Sequence, residues 1–285
     1  MQFFLIVLSL SSAFFWGACD FSGGLASKRT SAYSVVGLSQ FISLLILLIG
    51  VFLVAPEPFS TQAAFWGGIA GICGASGLVA LYSGLARGPM GVIAPLTAVI
   101  AAVVPVVFSI FQSGLPPASD LLGILVALVA VWTISSGDSL AKLNLNDLVL
   151  PLLAGLGFGA FFILIATASQ ETTIWPLVFA RSSSVLFILL VGMLLSKVEI
   201  PQRGQIPIIA LAGIFDTGGN VFYILATRYG RLDIAAVLSS LYPAATVFLA
   251  WIILKERLTR RQWFGVVLVI LAVGLIAIQV LCNNG

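Results

Sequence analysis

The sequence predicts an all-α integral membrane protein with about ten transmembrane helices in two inverted five-helix repeats. Three observations predict this fold: an apolar composition, hydrophobic stretches of spanning length, and a similarity between the two halves of the chain. Of the 285 residues, 60% are hydrophobic and only 8% are charged. A soluble protein of this length needs more charge to cover its surface, so we expect most of this surface to face lipid.

Ten apolar stretches have the length that a membrane-spanning helix needs, about 20 residues. Short polar segments separate them, as at SKRTS (27–31) and KERLTRRQ (255–262). Thr259 followed by Gln262 fits a capping box that starts the last helix. The predicted spans are 3–24, 33–54, 64–84, 90–112, 119–136, 148–168, 174–195, 206–226, 232–254 and 262–281.

Two prolines fall in the middle of predicted spans, Pro105 in the fourth and Pro243 in the ninth. A proline inside a helix removes a backbone hydrogen bond and bends the helix. Each bend is either a packing kink or the opening of a cavity. The similar positions of the two prolines in the two halves favour the cavity.

An internal repeat becomes visible when residue n is compared with residue n+142. This shift divides the chain into a first repeat, 1–142, and a second repeat, 143–285. Each repeat has five predicted spans, an odd number, so the second repeat enters the membrane in the opposite sense. Many secondary transporters have this architecture, with the binding site near the bilayer midplane between the repeats. The paired glycines are Gly17/Gly159, Gly50/Gly192, Gly71/Gly213, Gly77/Gly219, Gly88/Gly230 and Gly123/Gly265.

The composition disfavours several other classes of protein. There is no histidine, and Cys19, Cys73 and Cys282 stand apart, so the sequence predicts no metal site and no cofactor. A net charge of +3 without a strong basic cluster does not indicate a nucleic-acid partner. An intramembrane enzyme is disfavoured because no GxSxG motif or carboxylate cluster suggests catalytic residues. A membrane channel and a non-transporting scaffold remain alternatives to a carrier.

Three charged residues fall inside predicted spans and away from the first turn of the span: Asp216 in the eighth, Arg181 in the seventh and Asp20 near the end of the first. Charged groups at bilayer depth are costly and usually functional. We expect Arg181 and Asp216 to approach each other, where they bind a zwitterionic or anionic solute or form a gating pair. The alternatives are an ion pair that only fixes packing, or an Arg181 side chain that extends to the membrane surface.

Polar and aromatic neighbours of these charges are candidate binding residues. Asn220 lies one helical turn from Asp216 on the same face. Trp16, Tyr82 and Tyr223 are expected to line the pathway, although many membrane aromatics face lipid instead. Without histidine, coupling to protons or another cation requires a carboxylate, which points to Asp20 or Asp216.

Several segments resemble the EamA family of the drug/metabolite transporter superfamily. The stretch ALYSGLARGPMGVIAPL (80–96) is similar to the junction of that family's third and fourth helices, and Trp16-Gly17 fits its first helix. The second copy matches better, through Tyr223, LSSLYP (238–243), LKERLT (254–259), Gln262 and Gly265. The first copy departs from the pattern at Gly114, where the second has Glu256. The resemblance implies ten helices and the export or exchange of small metabolites such as amino acids, sugars, nucleotide sugars or drugs.

Together these observations predict a secondary transporter in the cell membrane that moves a small metabolite or drug-like solute by alternating access. The sequence predicts no oligomeric state and leaves the orientation open. Basic residues are more numerous in the odd-numbered loops, which would place both termini outside. The family resemblance implies both termini inside. The predicted substrate-binding residues are Asp216, Asn220, Arg181, Asp20, Tyr223, Tyr82 and Trp16.

Overall fold

The protein is described by a computed structural model that covers residues 2–53, 60–87, 90–135, 145–253, 255 and 259–282. Within these ranges the regular structure is helical and no strand occurs. A short 3₁₀ turn, Arg203–Gln205, precedes the eighth helix. The helices are α1 (Gln2–Ser27), α2 (Ala32–Leu53), α3 (Thr61–Arg87), α4 (Met90–Ser113), α5 (Ala118–Ser135), α6 (Leu145–Ala168), α7 (Ile174–Leu194), α8 (Ile206–Thr227), α9 (Leu232–Ser239), α10 (Tyr242–Ile253) and α11 (Arg260–Cys282).

The membrane-spanning character of the chain is confirmed. Among the described residues, eight helical stretches are long and apolar enough to cross a bilayer, with Leu232–Ile253 counted as one of them. The fifth predicted span is a shorter apolar helix, and the tenth corresponds to α11. The total of ten spans therefore stays a prediction beyond these eight. Large apolar side chains such as Leu125, Leu153 and Ile270 are more than half exposed on the outer surface, as lipid contact requires.

The two prolines that were predicted to lie in the middle of spans occupy different positions in the helices. The ninth predicted span is broken, because Ser240 ends α9 and α10 begins at Tyr242. Pro243 therefore lies in the first turn of α10, where its missing N–H costs no helical hydrogen bond. Pro105 instead lies inside α4, which continues without interruption to Ser113. The structure thus has a helix break in the ninth span and an unbroken helix in the fourth.

The predicted capping box at the start of the last helix is confirmed. The backbone N–H of Thr259 donates to Gln262 Oε1 at 2.8 Å, and the N–H of Gln262 donates to Thr259 Oγ1 at 3.3 Å. These two bonds satisfy N–H groups that have no partner within the helix. They fix the start of α11 at Arg260.

Glycines allow close approach between helices of the two halves. A Cβ atom added to Gly71 on α3 would collide with the carbonyl oxygen of Ala180 on α7. A Cβ atom added to Gly213 on α8 would lie 2.5 Å from the carbonyl oxygen of Ser39 on α2. Gly71 and Gly213 correspond to each other in the predicted repeat. At each of them, the third helix of one half contacts the second helix of the other half. In the same manner α3 packs on α6 and α7, while α8 packs on α1 and α2.

Candidate functional site

A cavity lies between helices of both halves of the chain. Residues of α1 and α3 line it from the first half, and residues of α6, α7, α8 and α10 line it from the second. Its lining includes the side chains of Asp20, Arg181 and Asp216. The structure thus brings together at one cavity the three charges that the sequence singled out.

Arg181 and Asp216 form a buried ion pair. Arg181 Nη2 lies 2.9 Å from Asp216 Oδ2, and the two side chains are only 4% and 8% exposed. The other guanidinium nitrogens donate to α2, Nη1 to Gln40 Oε1 at 2.6 Å and Nε to Ser43 Oγ at 3.0 Å. The expected approach of Arg181 and Asp216 is confirmed, and Arg181 does not extend to the membrane surface.

Two amides complete the surroundings of the Asp216 carboxylate. Gln40 Nε2 donates to Oδ2 at 2.8 Å, so Gln40 contacts both members of the ion pair. Asn220, one turn further along α8, donates through Nδ2 to Oδ1 at 2.9 Å. Asn220 Oδ1 is buried and has no hydrogen-bond partner. Asp216 is therefore compensated on both oxygens, and Asn220 keeps a free acceptor at the cavity.

The position of Arg181 along α7 is set by the serines that follow it. Ser183 Oγ donates to the carbonyl oxygen of Gly68 at 2.7 Å, and Ser184 Oγ donates to that of Gly71 at 2.8 Å. Both acceptors lie on α3, where the absence of a side chain exposes the backbone. These bonds hold α7 against α3, so the serines do more than bond to their own helix. Ser182 alone bonds only to the preceding turn, at Val178 O.

Asp20 differs from Asp216 in having no compensating partner. It lines the cavity from the later part of α1 and is partly exposed. No hydrogen-bond or ion-pair partner for its carboxylate is found among the described residues. The cavity therefore contains one compensated carboxylate and one that is open to a ligand.

Aromatic side chains form much of the remaining wall. Trp16 and Phe162 are stacked, with ring centroids 5.2 Å apart and planes 16° apart. Sequence reasoning missed Phe158, Phe161 and Phe162 as lining residues. One signal pointed to the first of them, because Phe158 occupies the repeat position that corresponds to Trp16.

Two of the predicted residues lie behind the wall and not on it. Tyr223 is fully buried, packs on Phe162 at 4.9 Å between ring centroids, and donates its hydroxyl to Phe162 O at 3.2 Å. Tyr82 is also buried, with its hydroxyl 3.8 Å from the Cys19 sulfur. Neither residue lines the cavity. A direct contact of either tyrosine with a solute stays a prediction.

Gln40 and Ser43 are the polar partners that the sequence indicated least. They lie three residues apart, so they share one face of α2. Both are fully buried and contact Arg181. Among the described residues, no group of three or more His, Cys, Asp or Glu is arranged to hold a metal ion.

At one end of the helices, a polar contact joins the two halves. Arg231, just before α9, donates through Nη2 to the carbonyl oxygen of Gly114 after α4, at 2.9 Å. The same nitrogen lies 2.9 Å from Asp233 Oδ2, and the Asp233 side chain is fully buried. The hydrogen bonds from Arg231 to Asp233 raise the pKa of the guanidinium further, so Arg231 stays charged. We call Arg231, Asp233 and Gly114 the end latch.

The chain is similar to several known proteins. The model of the EamA-like transporter family matches residues 147–278. Protein LicB of Haemophilus influenzae is 39% identical over 74 residues, which is 25% of this chain and 25% of LicB. The uncharacterized protein MJ1333.1 of Methanocaldococcus jannaschii is 27% identical over 123 residues, or 43% of this chain and 88% of that protein. A protein crystal structure superimposes with a TM-score of 0.77 over 99% of both chains at 14% identity, which shows a common fold.

Proposed function

We propose that the protein is a multi-pass membrane transporter of small solutes that works by alternating access, because residues 147–278 match the model of the EamA-like transporter family and the described helices include stretches long and apolar enough to cross a bilayer. The transported solute is a small metabolite or drug-like molecule that occupies the cavity between the halves. Transport is export or exchange across the cell membrane. Residues Asp20, Trp16, Arg181, Asp216 and Asn220, which line the cavity, are proposed to contact the solute.

The observation that carries this proposal is the charged network between the halves. Gln40 and Ser43 belong to the first half, whereas Arg181 and Asp216 belong to the second. Buried charges at bilayer depth are costly, so their presence favours a functional role. Any rearrangement of α2 against α7 and α8 must change these hydrogen bonds. A solute that contacts the network can therefore stabilise one arrangement of the halves relative to another.

The paired contacts support two inverted repeats as the moving units. Gly17 on α1 approaches the carbonyl oxygen of Tyr242 on α10, and its repeat mate Gly159 on α6 approaches Val104 on α4. At these two glycines, the first helix of each half contacts the fourth predicted span of the other half. At Gly71 and Gly213, the third helix of each half contacts the second helix of the other half. In inverted-repeat carriers, exchanging the conformations of the two repeats produces the state that opens to the other side.

The end latch is proposed to close one side of the pathway. Leu5, near the start of α1, packs next to Gly230 beside the latch, whereas Asp20 lies toward the other end of α1. The cavity and the latch are therefore displaced along the same helix. Because Arg231 and Gly114 belong to different halves, opening on the latch side must separate them.

Arg231→Gln is expected to make the cavity more accessible from the latch side. The substitution removes the hydrogen bond that joins the halves, from Arg231 Nη2 to the Gly114 carbonyl oxygen. Such a bond is worth about 1 kcal/mol, which corresponds to roughly a fivefold gain in the population that is open there. The rate at which a membrane-impermeant thiol reagent labels Cys19 from that side measures this gain, with Cys73 and Cys282 replaced by serine. Arg228→Gln is the control, because Arg228 donates to Ser169 O within the second half only. Equal labelling rates in the two variants would exclude the latch.

Coupling to protons or another cation is proposed to use Asp20. The Asp216 carboxylate is already bound by Arg181, Gln40 and Asn220. Asp20 lacks such partners in the described structure and lines the cavity, so a proton or cation can exchange there. Solute uptake by proteoliposomes, measured with and without an imposed pH gradient, tests this coupling.

The proposed transport itself is tested by counterflow in proteoliposomes. Vesicles loaded with unlabelled amino acids, sugars or amines, one compound at a time, are diluted into the labelled compound. A carrier accumulates label transiently and saturates with concentration, whereas a channel shows neither behaviour. Arg203→Met, at an exposed position outside the cavity, serves as the matched control for Arg181→Met. If no compound exchanges, or if flux rises linearly without saturation, the alternating-access proposal is wrong.

A further inference from the structure

Two connections at the end opposite the latch carry an unbalanced positive charge. One is the α1–α2 turn, 28–31, and the other is the segment 195–202 after α7, which we call the strap. The charged residues of the turn, the strap and the position that follows the strap are Lys28, Arg29, Lys197, Glu199 and Arg203. All five side chains are exposed, and within the described parts of the chain none of them takes part in an ion pair. This end of the helices therefore presents unpaired cations to its surroundings.

The connections at the latch end have a different charge balance. The segment before α7 contains Glu171, and the segment between α8 and α9 contains Arg228 and Arg231. Arg231 is paired with the buried carboxylate of Asp233. These four residues together have no net charge. Basic residues in short connections mark the cytoplasmic side of a membrane, whose leaflet has a negative surface. The charge asymmetry therefore indicates that the basic end faces anionic headgroups.

Hydrogen bonds hold the strap against the α1–α2 turn and the start of α2. Ser31 Oγ donates to the carbonyl oxygen of Lys197 at 2.6 Å, and the backbone N–H of Glu199 donates to Ser34 Oγ at 2.8 Å. Ser31 is only two residues from Arg29. These contacts therefore bring the basic residues of the turn and of the strap to one surface, although they come from different halves of the chain.

The strap also has exposed apolar side chains between its polar ones. Leu195 is 50% exposed, Val198 44% and Ile200 96%. The strap connects two helices of spanning length and composition, so it lies at the bilayer surface. Segments with both apolar and basic side chains bind there by placing the apolar groups among acyl chains and the cations near phosphates. A soluble anion would satisfy the cations but leave the apolar side chains in water, so a lipid fits this surface better.

We propose that the strap and the α1–α2 turn form a binding surface for an anionic phospholipid. The headgroup contacts Lys28, Arg29 and Lys197, while the acyl chains lie against Ile200. Because the turn belongs to the first half and the strap to the second, the bound lipid connects the two halves at this end. The surface is separate from the cavity, and its occupation requires neither solute nor transport.

Lipid retention by the purified full-length protein tests the proposal. Phosphatidylglycerol and phosphatidylethanolamine with the same acyl chains are added to the detergent-solubilised protein, and native mass spectrometry measures binding. We expect phosphatidylglycerol to bind about tenfold more tightly. Lys28→Gln, Arg29→Gln and Lys197→Gln should each weaken its binding about fivefold, and about 100-fold when combined, because each removes one cation from the headgroup. Ile200→Asn should also weaken binding about fivefold through lost acyl contact. Arg228→Gln, at an exposed position of the latch end, is the control and should leave binding unchanged.

The outcomes separate this surface from a soluble-anion site and from the transport function. Equal retention of the two lipids, or full phosphatidylglycerol affinity in the triple variant, would reject the surface. Displacement of the lipid by glycerol 3-phosphate at a similar concentration would show that the cations bind a soluble anion and would also reject it. An unchanged melting temperature without added lipid excludes misfolding, and the single variants give the same test if the triple variant does not fold. Selective lipid retention by a protein that shows no counterflow would support the surface and reject only the carrier.

Discussion

Arg181→Met is expected to lower the stability of the protein by about 3–5 kcal/mol and to abolish counterflow. The substitution leaves the Asp216 carboxylate buried without its counter-ion, with only Gln40 and Asn220 as donors. Titration of the folded fraction with SDS in mixed micelles measures the stability, and proteoliposomes measure the transport. Asp216→Leu should have an effect of similar size, because it leaves the Arg181 guanidinium unpaired in the same place.

The double variant Arg181→Met/Asp216→Leu distinguishes a functional pair from one that only fixes packing. Replacing both members of a buried ion pair by apolar residues is often neutral for stability. We therefore expect the double variant to recover most of the stability that each single variant loses, but to remain inactive. Arg203→Met, with an exposed side chain, should change neither quantity. Full counterflow by the double variant would assign the pair a packing role alone.

Gly71→Ala is expected to destabilise the protein by about 3 kcal/mol. The added Cβ atom would collide with the Ala180 carbonyl oxygen and with Ser183 Oγ, so α3 and α7 must move apart. The hydrogen bonds from Ser183 and Ser184 to the α3 backbone would lengthen as a result. Because these bonds set the position of Arg181, transport should fall together with stability.

Gly68→Ala is the matched control for this prediction. Gly68 belongs to the same helix, but a Cβ atom added there meets no other atom within 4 Å. Alanine is favoured over glycine inside a helix by roughly 1 kcal/mol, so this variant should be as stable as the parent or slightly more stable. If the two alanine variants had equal stability, close α3–α7 contact at Gly71 would not be a source of stability.

Local signals in the sequence were sufficient for the individual helices. Apolar stretches of spanning length predicted the membrane helices, because hydrocarbon requires every backbone N–H and C=O to be paired within the helix. The capping box at Thr259 and Gln262 was also predicted correctly, because its two partners are only three residues apart in the sequence. The break before Pro243 was less predictable. Pro105 has the same chemistry and lies in an uninterrupted helix, so its neighbours decide the outcome.

The sequence also indicated the residues that form the centre of the site. The costs of placing Arg181 and Asp216 in lipid predicted that each needs a partner, and each was the most plausible partner of the other. The sequence did not predict that Gln40 and Ser43 share this network, because a single amide or hydroxyl in a span has many possible partners. It also did not distinguish Trp16, on the cavity wall, from Tyr223, which lies behind it.

By itself, the sequence determined the membrane environment, the approximate positions of most helices and the presence of intramembrane charges, since each follows from the transfer of nearby residues into lipid. Only the tertiary structure decided that Asp216 is compensated while Asp20 is open to the cavity, and that glycines on α3 expose backbone acceptors to α7. The contacts between α3 and α7 join residues more than 100 positions apart, and the ion pair of Arg181 and Asp216 joins two different helices. Such contacts are set by how complete helices pack, and no pattern within a single helix specifies them.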